Sequence, residues 1–262
     1  MVEIASIAPA KEPELLSVAE AARQMTVTQS PGGIHYAALG PAVLIEGTLG
    51  AADLERLVGA VPATMAAALA ERAYYFVPLA LSDQEEVRVA TASTPDLVER
   101  STCHRNTTLD GKPVTFLSTR LMHDRFALAF EFYINTAHHF VETAGVPEGF
   151  QELVLSQARA EVRGETSQDA WESRRRAFPK RDEGVAQDEQ AKHLYLTTAF
   201  SDALAIYMLS LALDFDYADL REREYPLLVS PALAERLRLV ASLLPANPGY
   251  VFEIRYRRRS DR

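Results

Sequence analysis

The stretch that most constrains the fold of this chain is residues 124–145, DRFALAFEFYINTAHHFVETAG. It is the most apolar long segment of the sequence, and its apolar residues cover most of the circumference of a helix. A helix of that kind is buried in a core, not laid on a surface. Asp124 can cap its start, Gly145 can end it, and Pro147 prevents its continuation. We therefore predict a core helix around which the other helices pack.

One narrow polar stripe interrupts this apolar helix. At about 100° per residue, Glu131, Asn135, His138 and Glu142 fall within roughly 60° of one another. A carboxylate buried there would have to be paired, protonated or bound to a metal, because desolvating it alone is too costly. The stripe is therefore either a solvent-facing edge with structural hydrogen bonds, or a polar site inside a helical core. Narrow polar edges are common on amphipathic helices, which favours the first interpretation.

The second interpretation predicts a metal site. His138 and Glu142 are four residues apart on one helix, as Glu189 and His193 are on another. If the two helices pack antiparallel, His138, Glu142 and His193 could converge on a divalent metal such as zinc, iron or manganese. A carboxylate such as Glu161 would then serve as general base. The competing hypothesis is that these are exposed i,i+4 pairs, which the polar surroundings favour for Glu189 and His193.

Composition excludes some classes of function. The 262-residue chain has a formal net charge of −9, which disfavours a nucleic-acid binder and gives no attraction to an acidic membrane. Two basic clusters, residues 174–176 and 255–259, are expected to be solvated faces. No uninterrupted apolar run reaches the roughly 18 residues of a membrane span, and the N-terminus lacks a signal-peptide pattern. The single cysteine, Cys103, allows no intrachain disulfide. We therefore predict a soluble cytoplasmic protein.

Motifs that would identify a reaction are absent. The chain has no dinucleotide-binding or P-loop glycine pattern, no His-Glu-x-x-His, no Gly-x-Ser-x-Gly and no Cys-x-x-Cys. Cys103 and His104 are adjacent in a predicted strand, so their side chains should point to opposite faces and cannot easily pair as nucleophile and base. Cys103 is expected to be a small buried hydrophobe.

The order of elements predicts an α+β protein, with an antiparallel sheet from the N-terminal half packed against a helical C-terminal half. Residues 27–121 are sheet-rich and include predicted strands at 34–39, 43–49 and 74–81, and a hairpin turning at Asp110-Gly111. Residues 122–246 are helix-rich, with a second helix at 147–166 and a long helix at 187–213 that pairs with the 124–145 helix. Residues 250–257 alternate like a strand returning to the sheet. We interpret residues 1–262 as one domain.

Three functional hypotheses follow. The first is a protein that binds a small molecule or a protein partner in a pocket lined by Glu131, Asn135, His138 and Glu142. The second is a metal-dependent hydrolase or oxidoreductase built on the Glu/His site of the 124–145 helix. The third is a homo-oligomer that buries its apolar helices against a symmetry mate.

Overall fold

The first half of the chain supplies the strands and the second half the long helices, so the fold is α+β as predicted. The structure is a computed structural model. It describes residues 15–39, 50–82, 84–90, 102–119, 125–179, 188–220 and 225–255, apart from the side chains of 218 and 219. The predicted strand at 43–49 and the cap at Asp124 lie outside the described residues.

The described strands are β1 (Leu15–Ser17), β2 (Thr28–Gln29), β3 (His35–Ala38), β4 (Ala73–Val77), β5 (Leu79–Leu81), β6 (Val87–Ala90), β7 (His104–Leu109) and β8 (Lys112–Ser118). The described helices are α1 (Val18–Arg23), α2 (Ala51–Gly59), α3 (Ala63–Ala68), α4 (Arg125–Ala144), α5 (Glu148–Arg159), α6 (Gln168–Ala177), α7 (Glu189–Ala212) and α8 (Ser230–Leu243), with a 3₁₀ turn at Tyr217–Leu220.

The strands form two sheets, and the larger one is mixed. Its order is β2-β3-β4-β8-β7, with β3 and β8 both parallel to the central strand β4. The smaller sheet, β1-β6-β5, is antiparallel throughout. The prediction of one antiparallel sheet is therefore wrong for the centre of the larger sheet. For β3 and β4 the physical reason is that α2 and α3 connect them, because a helical crossover lets the second strand run in the same direction as the first.

Both faces of the central strands are buried, which is why their sequences do not alternate. On β4, Tyr74 and Phe76 join the main core with the helices, whereas Tyr75 and Val77 face the smaller sheet. Strands covered on both sides read as continuous apolar runs. The chain passes from the larger sheet to the edge of the smaller one at Pro78, between β4 and β5, consistent with the edge strand or bulge that this proline predicts.

The β7–β8 hairpin follows its local signal. Asp110 and Gly111 both have positive φ, 51° and 78°, as a two-residue type I′ turn requires. The hairpin puts β7 at one edge of the larger sheet. The turn prediction is confirmed.

The helix α4 lies between the larger sheet and α7. Its Phe132 packs edge-to-face on Tyr74, with ring centroids 5.2 Å apart, and α7 is its most extensive helical partner, as predicted. Gly145, with φ 72°, ends α4. Among the described helices, α7 alone is long and apolar enough to cross a membrane by length and composition, but 83% of its apolar window is buried inside the fold. It is a core helix, which is consistent with a soluble protein.

The predicted returning strand is wrong for residues 250–255. They pair with no described strand. Tyr250, Phe252 and Ile254 nevertheless turn inward, and Phe252 packs edge-to-face on Tyr207 of α7 at 5.1 Å. Alternation requires only that one side of an extended segment meets a core, and here that core is helical. Residues 256 and 257 of the predicted strand lie outside the described residues.

Candidate functional site

The polar stripe runs along the surface of α4. His138 and Glu142 are exposed, Asn135 is buried, and the Glu131 side chain is 16% exposed. The stripe is therefore a solvent-facing edge with one buried amide. It brings Glu131 and Asn135 together, because Asn135 Nδ2 donates to Glu131 Oε1 at 2.9 Å and to the Glu131 carbonyl at 2.9 Å.

The partner of this stripe is His104, which sequence reasoning had set aside. Its Nδ1 donates to Glu131 Oε1 at 2.6 Å and ties β7 to α4. The hydrogen bond to Glu131 raises the pKa of His104 above its ordinary value. No spacing rule relates residues 27 positions apart, so only the placement of the hairpin at the sheet edge could have suggested the pair.

Cys103 is exposed, and the expectation that it is buried is wrong. It precedes the edge strand β7, where the chain has solvent on one side. Partial burial and the nearby charge of Glu131 raise the pKa of its thiol. A raised pKa disfavours the thiolate, which is the nucleophilic form of cysteine.

The predicted metal ligands are not brought together. His193 is exposed on α7, as the i,i+4 interpretation expects. Within the parts of the chain that the structure describes, no three His, Cys, Asp or Glu side chains are placed to hold a metal ion, so His138, Glu142 and His193 do not form such a group. Glu161 is exposed in a left-handed backbone position, with φ 52°. Metal binding stays a prediction.

A dense arrangement of charge is buried elsewhere in the described part of the chain, between α5, α6, α7 and α8. We call it the Glu165 cluster, and it consists of Glu165, Arg174, Tyr195 and Arg236. Arg236 Nη1 donates to Glu165 Oε2 at 2.9 Å. Arg174 Nη1 and the Tyr195 hydroxyl donate to Glu165 Oε1 at 3.0 and 2.6 Å. Glu165 and Arg236 are both fully inaccessible to solvent. Burial, together with the charge of Glu165, raises the pKa of Tyr195, so it remains a hydroxyl donor.

A second buried carboxylate, Asp202 on α7, lies beside the Glu165 cluster. Thr166 Oγ1 donates to Asp202 Oδ2 at 2.7 Å. Burial raises the pKa of Asp202 to about 6, against hydrogen bonds from Ser167 and Thr166 that lower it. With such low exposure, this cluster and Asp202 cross-link helices and do not present a reactive surface.

An open cleft of about 530 Å³ lies where α7 ends and α8 begins. Residues 251–255 form its third wall, and Arg56 of α2 also lines it. Its apolar walls include Ile206, Leu233, Leu237 and Phe252. Its charged lining residues are Arg56, Asp214, Asp216, Glu253 and Arg255. None of the four stripe residues lines it.

The walls of the cleft are held by contacts to the core. The Tyr207 hydroxyl donates to the Leu244 carbonyl at 3.0 Å. Asn247 Nδ2 donates to the carbonyls of Gly59 and Val61 at 2.9 and 2.7 Å, which ties the segment after α8 to the end of α2. The Tyr250 hydroxyl donates to the Arg56 carbonyl at 2.7 Å. These contacts hold the segment that follows α8 against α2 and α7.

Comparison with protein-family models, curated proteins and solved structures finds no significant match.

Proposed function

We propose that this protein binds a small organic molecule in the cleft between α7, α8 and residues 251–255. The observation that carries the proposal is the cleft itself. About 530 Å³ lies inside the range of roughly 300–1,000 Å³ typical of small-molecule sites. Such sites combine apolar walls with polar groups, and this cleft has both, with five charged residues in its lining. The proposal keeps ligand binding as the function and moves it from the α4 stripe to the cleft.

The concave shape favours a small molecule over a protein partner. Flat surfaces suit protein partners, whereas small ligands need a site that covers most of their area. We also propose a cytoplasmic location, because a chain with one cysteine, which can form no intrachain disulfide, fits a reducing compartment.

The test fills the cleft from an exposed position. Ser230 lines the cleft at the start of α8 and is exposed, so Ser230→Trp should occlude it without disturbing the core. Ser242 is exposed near the other end of the same helix and outside the cleft, so Ser242→Trp is the matched control. The probe is Nile red, a neutral dye whose fluorescence rises and shifts to the blue in apolar sites.

We expect saturable binding of the dye to the wild type at one equivalent. Affinity should fall by about tenfold or more in Ser230→Trp and stay unchanged in Ser242→Trp. Circular dichroism of both variants checks that they fold. Equal affinities in the two variants, or no saturable binding to the wild type, would overturn the proposal.

A further inference from the structure

We propose that residues 251–255 form a flap that closes over the molecule bound in the cleft. This inference rests on the proposed function, since it describes how that site holds its ligand. Three observations support it: an anchored turn at residues 247–250, a cleft wall without backbone hydrogen bonds directly after the turn, and an exposed apolar side chain, Val251, on that wall.

The chain reaches the flap through a tight turn at residues 247–250, Asn-Pro-Gly-Tyr. The Tyr250 amide donates to the Asn247 carbonyl at 3.1 Å, and Gly249 has φ 91°. Proline at the second position and a glycine with positive φ at the third are typical of a type II turn. The sequence of the turn therefore favours one fixed direction for the chain that leaves it.

Both ends of this turn are bound to the body of the protein. Asn247 Nδ2 donates to two backbone carbonyls at and just after the end of α2, and its Oδ1 accepts from the Ala63 amide at 2.9 Å. At the other end, the Tyr250 hydroxyl donates to the Arg56 carbonyl at 2.7 Å. The backbone is thus anchored up to Tyr250.

The flap itself is held by side chains alone. In the described part of the chain, no backbone amide or carbonyl of residues 251–255 makes a hydrogen bond. Phe252 and Ile254 are half-buried against the core, and Phe252 packs edge-to-face on Tyr207. Few buried contacts and a solvated backbone give a segment low local stability. The flap should therefore move while the turn before it stays in place.

The charged side chains of the flap add little to its attachment. Arg255 Nη2 lies 2.8 Å from Glu253 Oε2, and both side chains are exposed. This ion pair lies within the flap and moves with it. The charge of Asp214 also acts on Arg255, but solvent weakens the attraction at so exposed a group.

Val251 supplies a driving force for closure. It lines the cleft with 70% of its surface exposed, more than any other large apolar residue in the described part of the chain. Removing apolar surface from water is favourable, and closing on a ligand with an apolar body would bury Val251. Flaps that close on a ligand also exclude water from the site.

The first test measures the motion of the backbone amides in the full chain, with and without saturating Nile red. In the free protein we expect order parameters of about 0.85 at residues 247, 249 and 250. Residues 251–255 should show either order parameters below about 0.6 or exchange in relaxation dispersion. Saturating dye should suppress the motion of the flap and leave the turn, which is the internal control, unchanged.

The second test removes the apolar group of the flap. Val251→Ser should lower the affinity for Nile red by about fivefold, because closure then buries less apolar surface. The matched control is Leu243→Ser, which removes another exposed apolar side chain at the end of α8, outside the cleft. It should bind the dye as the wild type does.

The outcomes separate the two proposals. If the wild type binds the dye and residues 251–255 are equally rigid or equally mobile in the free and bound protein, the flap is overturned and the binding function stands. Equal affinities of Val251→Ser and Leu243→Ser would lead to the same conclusion. A wild type without saturable dye binding would overturn the proposed function, and the flap with it.

Discussion

Two glutamates in this protein make the same kind of bond in different surroundings. Glu165 accepts from Arg236 Nη1 at 2.9 Å, and Glu131 accepts from His104 Nδ1 at 2.6 Å. The side chains of Glu165 and Arg236 are 0% exposed, whereas those of His104 and Glu131 are 42% and 16% exposed. Distance alone would rank the pairs as similar. Burial makes them different, because water can replace a lost partner only in the second pair.

The difference lies in what remains when one partner is removed. Glu165 is satisfied by two arginines and a tyrosine inside the core. Taking away its charge leaves Arg236 buried without compensation, which costs far more than the pair itself contributes. Glu131 sits at the surface, where screening by solvent makes an ion pair worth little. An ion pair is thus required for folding at Glu165, whereas at Glu131 it changes the stability only slightly.

The largest effect is predicted for Glu165→Gln. It keeps the shape of the side chain and removes its charge, so we expect a loss of about 3–5 kcal/mol in the free energy of unfolding. The matched change Glu131→Gln should cost less than about 1 kcal/mol. Urea unfolding of both variants at pH 7 measures the two values. Comparable losses would contradict the comparison.

The backbone that delivers Glu165 to the core should be nearly as sensitive. Gly164 has φ 85°, and a Cβ there would lie 2.0 Å from the Leu227 carbonyl oxygen. Its own carbonyl accepts from Arg174 Nη1 at 3.0 Å. We expect Gly164→Ala to cost about 3 kcal/mol or more, because it combines an unfavourable φ with a clash.

Gly145 is the control for this change. Its φ is 72°, and nothing lies within 4 Å of a Cβ placed on it. Gly145→Ala should therefore cost only about 1 kcal/mol, the conformational penalty without the clash. Urea unfolding gives both numbers. An equal loss in the two variants would mean that the contact with Leu227 relaxes freely.

Asp202 is a buried carboxylate whose charge is expected to destabilise the folded protein, whereas the charge of Glu165 is expected to stabilise it. Burial raises its pKa to about 6 in the folded protein, from an ordinary value of 3.8. A raised folded pKa means that stability is full below the unfolded value and is lost as pH rises through the folded one. Asp202→Asn keeps an acceptor for Thr166 and removes the charge. It should thus match the wild type near pH 4 and exceed it by about 3 kcal/mol above pH 6.

Thermal or urea unfolding of wild type and Asp202→Asn from pH 4 to pH 8 measures this difference. A difference that does not grow with pH would show that Asp202 does not titrate as a buried group.

Local signals were enough for the core helices α4 and α7, their pairing and the β7–β8 hairpin, but not for the buried charges. The apolar circumference of α4 and the Asp110-Gly111 turn depend on neighbours in the chain, so the sequence indicates them. The Glu165–Arg236 pair joins residues 71 positions apart, and no periodicity relates them. Strand direction in the larger sheet was likewise unreadable, because burial on both faces removes the alternation.

The helix predicted at 147–166 is too long, and this error explains why the burial of Glu165 was not predicted. A helix over these residues would put Glu161 and Glu165, which are four residues apart, on one face. The helix ends at Arg159, and the left-handed positions at Glu161 and Gly164 turn the chain so that Glu161 is exposed while Glu165 is buried. The charge run predicts Arg174 on a solvated face. It is buried, and its Nη1 donates to Glu165 Oε1.

The smallest effect belongs to the exposed pair. The hydrogen bond to Glu131 raises the pKa of His104, so the pair contributes stability below about pH 6.5, the ordinary value for histidine. That contribution is lost as pH rises through the folded pKa. With 42% of the His104 side chain exposed, it should be below about 1 kcal/mol. An NMR titration of His104 should give a pKa that falls toward the ordinary value in Glu131→Gln and at high salt. A pKa unchanged by Glu131→Gln would mean that the hydrogen bond does not persist in solution, and that the surface pair has no energetic role to compare with Glu165.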